Sequence, residues 1–204
     1  MTYTYNITTI DLKPGTGAQA MTRIKDHLAD IPGELVGYFL SDIGALNRIL
    51  LIHRAISYEQ AISDRNTLSL SIDPFGCKEF TTAFATNTFQ SLPFLGPIKT
   101  GNVGPVFEVR TYKIKPGGMD PTIELWRKAI PDRIKISPLL AGLYNIDEAE
   151  PCFIQIWPYQ SLDERAHLRA KAVADGVWPP PNAGLYLTEQ QADIYYAGEL
   201  SPLQ

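Results

Sequence analysis

The 204-residue chain has only two cysteines, three histidines and three methionines, which leaves little material for disulfide or metal chemistry. Cys77 and Cys152 stand singly, with no CxxC pair and no histidine at ligand spacing, so both read as structural thiols and no metal is expected. No apolar run approaches the roughly 20 residues of a membrane-spanning helix. No Lys/Arg-rich run occurs and the formal net charge is −4, which argues against nucleic acid as the partner. A Gly-rich phosphate loop, GxSxG and HExxH are all missing, so the common nucleotide, hydrolase and metalloprotease readings lack support and no cofactor is expected. The N-terminus, MTYTYNITTI, has neither the basic start of a secretory signal nor an Arg-rich amphipathic pattern, and the expected location is the cytoplasm.

What is present is an ordinary globular composition, 45% hydrophobic and 20% charged, and one unusually informative stretch from Cys152 to Pro181. Phe153 to Trp157 is short, apolar and bounded by Pro151 and Pro158, as a buried strand would be. Ser161 followed three residues later by Glu164 is a capping box that opens a helix, and Asp175-Gly176 closes it. Leu162, Ala166, Ala170 and Val173 recur at helical spacing and are expected to face a sheet.

The earlier chain carries a worn copy of this plan. Leu12-Lys13-Pro14-Gly15 returns as Ile114-Lys115-Pro116-Gly117, and Val36-Gly37-Tyr38-Phe39 returns as Ala141-Gly142-Leu143-Tyr144. Leu50 to His53 with Ser57 and Gln60 returns as Ile154 to Trp157 with Ser161 and Glu164. Two tandem units follow, residues 1–98 and 105–204, joined by the segment from Gly96-Pro97 to Gly104-Pro105. Each reads as strand, helix, strand, strand, helix and a further strand, with Asp120-Pro121 expected to cap the first helix of the second unit and Pro131 to kink it. That order is the α+β, ferredoxin-like plan, an antiparallel sheet with helices on one face. Two such units can cover their bare faces by packing sheet on sheet.

Strand alternation then assigns faces. Phe107, Val109, Thr111, Ile154 and Ile156 are expected under the helices, and Glu108, Arg110, Tyr112, Phe153, Gln155 and Trp157 between the sheets. Asn6, Thr8, Ile10, Ile49, Leu51 and His53 are expected there from the first unit. Such a set, largely apolar with one acid and one cation, fits a small-molecule pocket. It equally fits a packed interface that retains Glu108 and Arg110 as a buried ion pair.

Arg165 and Arg169 lie one helical turn apart, a like-charge pair that costs about 0.2–0.5 kcal/mol unless an anion answers it. Glu148 or Glu150 could answer it structurally, and a ligand carboxylate or phosphate could do so functionally. Of the three histidines, His27 and His167 read as solvated helix residues, while His53 ends an inward-facing run.

Several motifs together make the chain resemble the NIPSNAP family: Phe107-Glu108-Val109-Arg110-Thr111-Tyr112, Ile156-Trp157-Pro158-Tyr159, Arg165 with Arg169, Trp178-Pro179-Pro180 and Leu200-Ser201-Pro202-Leu203. The resemblance covers the second half well and the first half faintly. It implies a dimeric α+β barrel formed within one chain, the two ferredoxin-like units packed sheet on sheet. The wider superfamily includes cofactor-independent oxygenases, cyclases, isomerases and haem enzymes, and some family members are adaptors. The first half departs from the pattern, with His53-Arg54 where the second has Trp157-Pro158 and no Trp-Pro-Pro, so a single site biased to one half is expected.

Two functional expectations follow. One is a cofactor-independent enzyme holding an aromatic or polyketide-like small molecule in the barrel, with Glu108 or His53 as acid/base, Arg110 stabilising an enolate, and Tyr112, Phe153, Gln155, Trp157, Tyr159, Arg165, Arg169 and Trp178 binding substrate. The other is a non-catalytic binding or adaptor protein that meets a partner around Trp178. Haem binding through His53 is a third reading, implied by the superfamily, and self-association of the barrel is left open.

Overall fold

Thr- and Ile-rich Thr4–Leu12 forms β1, and the positive-φ Gly15 in the Lys13-Pro14-Gly15 turn leads into helix α1, Gly17–His27. The chain continues as β2 (Glu34–Ile43), β3 (Arg48–Ala55), α2 (Tyr58–Leu70) and β4 (Thr81–Ser91). The second half repeats the order as β5 (Val106–Ile114), α3 (Met119–Arg133), β6 (Ala141–Asn145), β7 (Cys152–Tyr159), α4 (Leu162–Ala174) and β8 (Leu187–Ala197). This computed structural model describes residues 2–145, 147 and 151–204. Glu148 and Glu150, the acids expected beside Arg165 and Arg169, lie outside the described residues.

Each half has the same strand order, β4-β1-β3-β2 and β8-β5-β7-β6, and all pairings are antiparallel. The edges join. β2 pairs with β8 and β4 with β6, so the eight strands close into one barrel with no open sheet edge. At the β2–β8 seam the Gly44 turn, at φ +102°, comes so close to Asp193 that a Cβ would sit 1.9 Å from its Oδ1. That proximity lets the Ala45 N–H donate to the same oxygen at 3.1 Å. No helix among the described residues is long and apolar enough to cross a membrane.

Both second helices are capped by serine as the sequence suggested. Ser57 Oγ accepts from Gln60 N at 3.1 Å, and Ser161 Oγ accepts from Glu164 N at 3.0 Å. The Glu164 carboxylate reaches back to the Gln160 N–H, one residue before the cap. Helix α3 begins two residues earlier than expected. Gly118 is its N-cap, which leaves Asp120 and Pro121 as the second and third helical residues, and Pro131 lies inside the helix.

The face assignment is reversed from the sequence expectation. Phe107, Val109, Ile154 and Ile156 fill the barrel with Ile7, Leu50, Ile52, Phe89 and Tyr195, and Phe39 and Phe107 meet across the two units at 4.7 Å between ring centroids. Ile10, Ile49 and Leu51 lie instead against Ala20 and Ile24 of α1. Phe153 and Trp157 pack on Ile123, Trp126 and Ile130 of α3. Edge closure is the physical reason: eight inner strand faces surround one enclosed lumen, so the more continuous apolar faces are drawn there. Glu108 and Arg110 are left on the helix side. Helix α4 is turned correspondingly. Leu162, Ala166, Ala170 and Val173 are exposed, Val173 by 62%, while Arg165, Leu168, Arg169 and Ala172 face inward.

Candidate functional site

Glu108 on β5 stands in register with Trp157 on β7, fully buried beneath α4. Its carboxylate accepts from Arg165 Nη2 at 2.6 Å, Arg110 Nη1 at 3.0 Å and Arg169 Nη1 at 3.2 Å. Arg110, two residues along the strand and hence on the same face, also donates through Nε to the Tyr112 hydroxyl at 2.8 Å. The two α4 arginines, one turn apart, straddle the acid from above. Their mutual repulsion is answered by Glu108.

An aromatic wall borders this cluster. Trp178 meets Trp126 edge-on at 4.9 Å and Trp157 at 5.9 Å, and Trp126 meets Phe153 at 4.8 Å. The Trp157 Nε1–H donates to Gln155 Oε1 at 2.8 Å. Arg133, from the end of α3, lies 4.4 Å over the Trp157 ring and donates to Ser137 Oγ at 2.6 Å. Among the described residues, Arg133 Nε, Arg165 Nε, Gln155 Nε2 and the Tyr159 hydroxyl are buried without a hydrogen-bond partner. Between α4 and Trp178, Arg133 and Arg169 line a cavity of about 410 Å³ with Ala172 and Val173.

The electrostatics follow from this crowding. Burial by itself would raise the Glu108 pKa, but the Arg165 hydrogen bond and the charges of Arg169 and Arg110 outweigh it and hold the carboxyl below its ordinary value. Burial pushes Arg133 down, and burial together with the Glu108 charge pushes the Tyr159 phenol up. The layer thus presents an ionised acid, four guanidiniums and a neutral phenol.

The fold brings ten of the eleven expected site residues into this one layer: Glu108, Arg110, Tyr112, Phe153, Gln155, Trp157, Tyr159, Arg165, Arg169 and Trp178. The layer lies between sheet and helices, not between the two sheets. His53 is not part of it. His53 sits on β3 opposite Asn6, on the helix side of the first unit, because each helix layer lies outside the barrel behind its own sheet. Its ring nitrogens have no partner among the described residues, and burial lowers its pKa to about 4. At 3% exposure that imidazole offers no face to a haem iron. Arg133, Ser137 and Trp126 also lie in this layer and were not among the expected residues. Their signal was Arg133 on the same stripe as Trp126 and Ile130, a cation at helical spacing on an apolar face.

The barrel lumen holds a separate cavity of about 170 Å³, floored by Leu50, Phe89 and Ile154 and rimmed by Arg48, Lys113 and Asp193. None of the expected site residues lines it. Among the described residues there is no group of three or more His, Cys, Asp or Glu side chains placed to hold a metal.

The whole-chain fold is shared with known structures. An anthrone oxidase-like protein matches 97% of this chain and 92% of its own with a TM-score of 0.67 at 12% identity. A candidate monooxygenase from Lactobacillus acidophilus NCFM matches 97% of this chain and 94% of its own with a TM-score of 0.60 at 11% identity. The sequence likeness is confined to part of the chain. The protein NipSnap homolog of Dictyostelium discoideum is 30% identical over 77 residues, 38% of this chain and 34% of that protein, so the match spans about a third of the curated relative. The NIPSNAP family model matches residues 107–202, a span that opens one residue before Glu108 and holds the entire arginine and tryptophan layer. The likeness to the NIPSNAP family thus lies in the second half of the chain.

Proposed function

We propose that the second unit is the working half of a cofactor-independent enzyme, a cyclase, isomerase or oxygenase that moves a proton on an aromatic or polyketide-like small molecule. The observation that carries this reading is one buried carboxylate held by three guanidiniums beside a tryptophan wall. Fixed cations in a site poor in water are what an enolate requires, since they meet negative charge as it develops without having to reorganise. In this reading the C–H proton beside a substrate carbonyl passes to Glu108, and its electron pair moves to the carbonyl oxygen, which Arg110 and the α4 arginines receive. A substrate oxygen that draws Arg165 or Arg169 away from Glu108 also raises the basicity of that carboxylate, because those arginines are what hold it low. His53, in the other half, has a structural part only.

The name of the anthrone oxidase-like neighbour supplies a probe. Anaerobic deuterium exchange from solvent into the methylene of anthrone, followed by NMR, should be accelerated about 100-fold or more over buffer. Glu108→Gln should abolish the gain, and Arg110→Gln, which leaves Arg165 and Arg169 on the acid, should reduce it. Exchange that survives Glu108→Gln removes Glu108 as the base; no acceleration by the unaltered chain defeats the enzymatic reading for this substrate class. The second reading, a binding or adaptor protein, is favoured by the exposed stripe Leu162, Ala166, Ala170 and Val173 on α4, which a partner could cover.

A further inference from the structure

Taking the arginine and tryptophan layer to be a ligand site, we infer that its ligand is an anion: a carboxylate on a flat apolar body, with the acid group between Arg133 and Arg169 and the body against Trp178. Charge accounting is the first argument. Arg110, Arg133, Arg165 and Arg169 bring four positive charges into one layer, and Glu108 is the single acid within ion-pairing distance of any of them among the described residues. A buried cation left uncompensated is strongly unfavourable, so the layer is incomplete as a purely structural network.

The excess is also localised. Arg165 and Arg110 spend their nearest N–H groups on Glu108 at 2.6 and 3.0 Å, whereas Arg133, among the described residues, makes no ion pair and donates to Ser137 alone. Arg133 is 2% exposed, its Nε lacks a partner among the described residues, and it is held flat by Trp157 and, at 5.9 Å, by Trp178. Such clamping fixes the guanidinium fork, which favours planar, bidentate acids over a diffuse negative surface. Arg133 and Arg169 open onto the same cavity, whose remaining walls are Trp178 and the aliphatic side chains of Ala170, Ala172, Val173 and Ala174. One charged end and one apolar wall in about 410 Å³ fit a small aromatic acid.

The repeat supplies an internal control. By the register that aligns Ser57 with Ser161, Arg65 corresponds to Arg169 and Ala61 to Arg165, and the first half has no tryptophan and no carboxylate at the position of Glu108. The inference is therefore specific to one flank of the barrel. The protein's three tryptophans, Trp126, Trp157 and Trp178, all lie in this layer, so their indole N–H resonances report binding there and nowhere else.

The test is a titration of the full chain with 2-naphthoate and with its neutral isostere 2-naphthamide, with affinities from calorimetry and location from the three indole N–H signals. The expected result is that naphthoate binds about tenfold or more tightly than the amide and shifts the Trp157 and Trp178 signals. Arg169→Gln should bring the two within roughly twofold, while Arg65→Gln should leave the preference intact. Equal affinities, a preference that Arg169→Gln does not change, shifts that spare the indoles, or no binding of either probe overturns the inference. Its failure is separable from that of the enzymatic reading. Anion preference without deuterium exchange retires catalysis and keeps the ligand class, and exchange without anion preference does the reverse.

Discussion

The two halves share a strand order and a serine-capped second helix, yet they attach that helix to the sheet by different chemistry. In the first half Asn6 donates to the Ala61 carbonyl of α2 at 2.9 Å and accepts from Thr88 at 2.8 Å, a small neutral network. In the second half the corresponding strand position is Glu108 and the corresponding helix position is Arg165, and the contact is ionic. The cross-strand neighbour changes in step, His53 opposite Asn6 and Trp157 opposite Glu108. One scaffold has thus kept a neutral layer on one flank, where Asn6 is paired and the His53 ring is buried without a partner among the described residues, and built a charged layer on the other. The charged layer is the flank where the local rules of packing are broken, which is what recommends it as the candidate site.

Removing the central polar group from each layer should break this comparison open most widely. Glu108→Gln leaves three half-buried guanidiniums facing one another without a counter-charge. The expected loss is about 3 kcal/mol, the low end for a broken buried pair because Arg165 and Arg169 keep some contact with solvent. Asn6→Ala leaves one carbonyl and one hydroxyl short of a partner, at about 1–3 kcal/mol. Urea midpoints of the two variants measure the difference. Equal losses would mean that the arginines relax into solvent when Glu108 is neutralised, and that the layer is no electrostatic unit.

The fold was legible because local signals agreed with one another. The repeated Lys-Pro-Gly turns, the serine caps and the apolar strands located nearly every element, and the two halves validated each other. The facing of those elements was not legible. Phe107 and Val109 alternate with Glu108 and Arg110, and alternation states only that two faces differ, not which one meets a helix. The assumption that the apolar face meets the helix failed on β5 and β7 and again on α4, and for the same reason. The lumen took the apolar faces, and the arginines of α4 made the helix side hospitable to an acid. The Arg165–Arg169 pair had signalled a missing anion. Its answer came from a strand more than fifty residues earlier, a distance that spacing rules do not reach.

Acid sharpens the comparison next, because the two layers should fail at different pH. His53 has a folded pKa of about 4 against an ordinary 6.5, so the unfolded chain binds its proton first as pH falls. The stability this neutral imidazole contributes is fully present above about pH 6.5 and is lost toward pH 4, about 3 kcal/mol over that span. Glu108 has its pKa lowered, so its contribution is present above the ordinary carboxylate range and declines only as pH falls through a value below 4.5. Stability measured against pH should therefore drop first through the first half. His53→Phe should flatten the curve between pH 6.5 and 4.5 and leave the steeper loss at lower pH, while a variant that retains the upper slope would place that titration elsewhere.

The smallest effect belongs to the feature the halves have in common. Ser57 and Ser161 cap α2 and α4 with the same geometry, 3.1 and 3.0 Å to the N–H three residues on, and replacing either with alanine should cost about 1 kcal/mol. Thermal or urea unfolding should barely distinguish the two variants. Binding should distinguish them, because the first turns of α4 carry Arg165 and Arg169, whereas α2 offers Asn6 only a backbone carbonyl. Fraying α4 releases guanidiniums from Glu108 and blurs the site that the naphthoate titration reads, so Ser161→Ala should weaken that affinity severalfold and Ser57→Ala should leave it unchanged. Equal affinities in the two variants would show that Glu108 holds α4 in place without its cap, and that the ion pairs rather than the helix start set the geometry of the site.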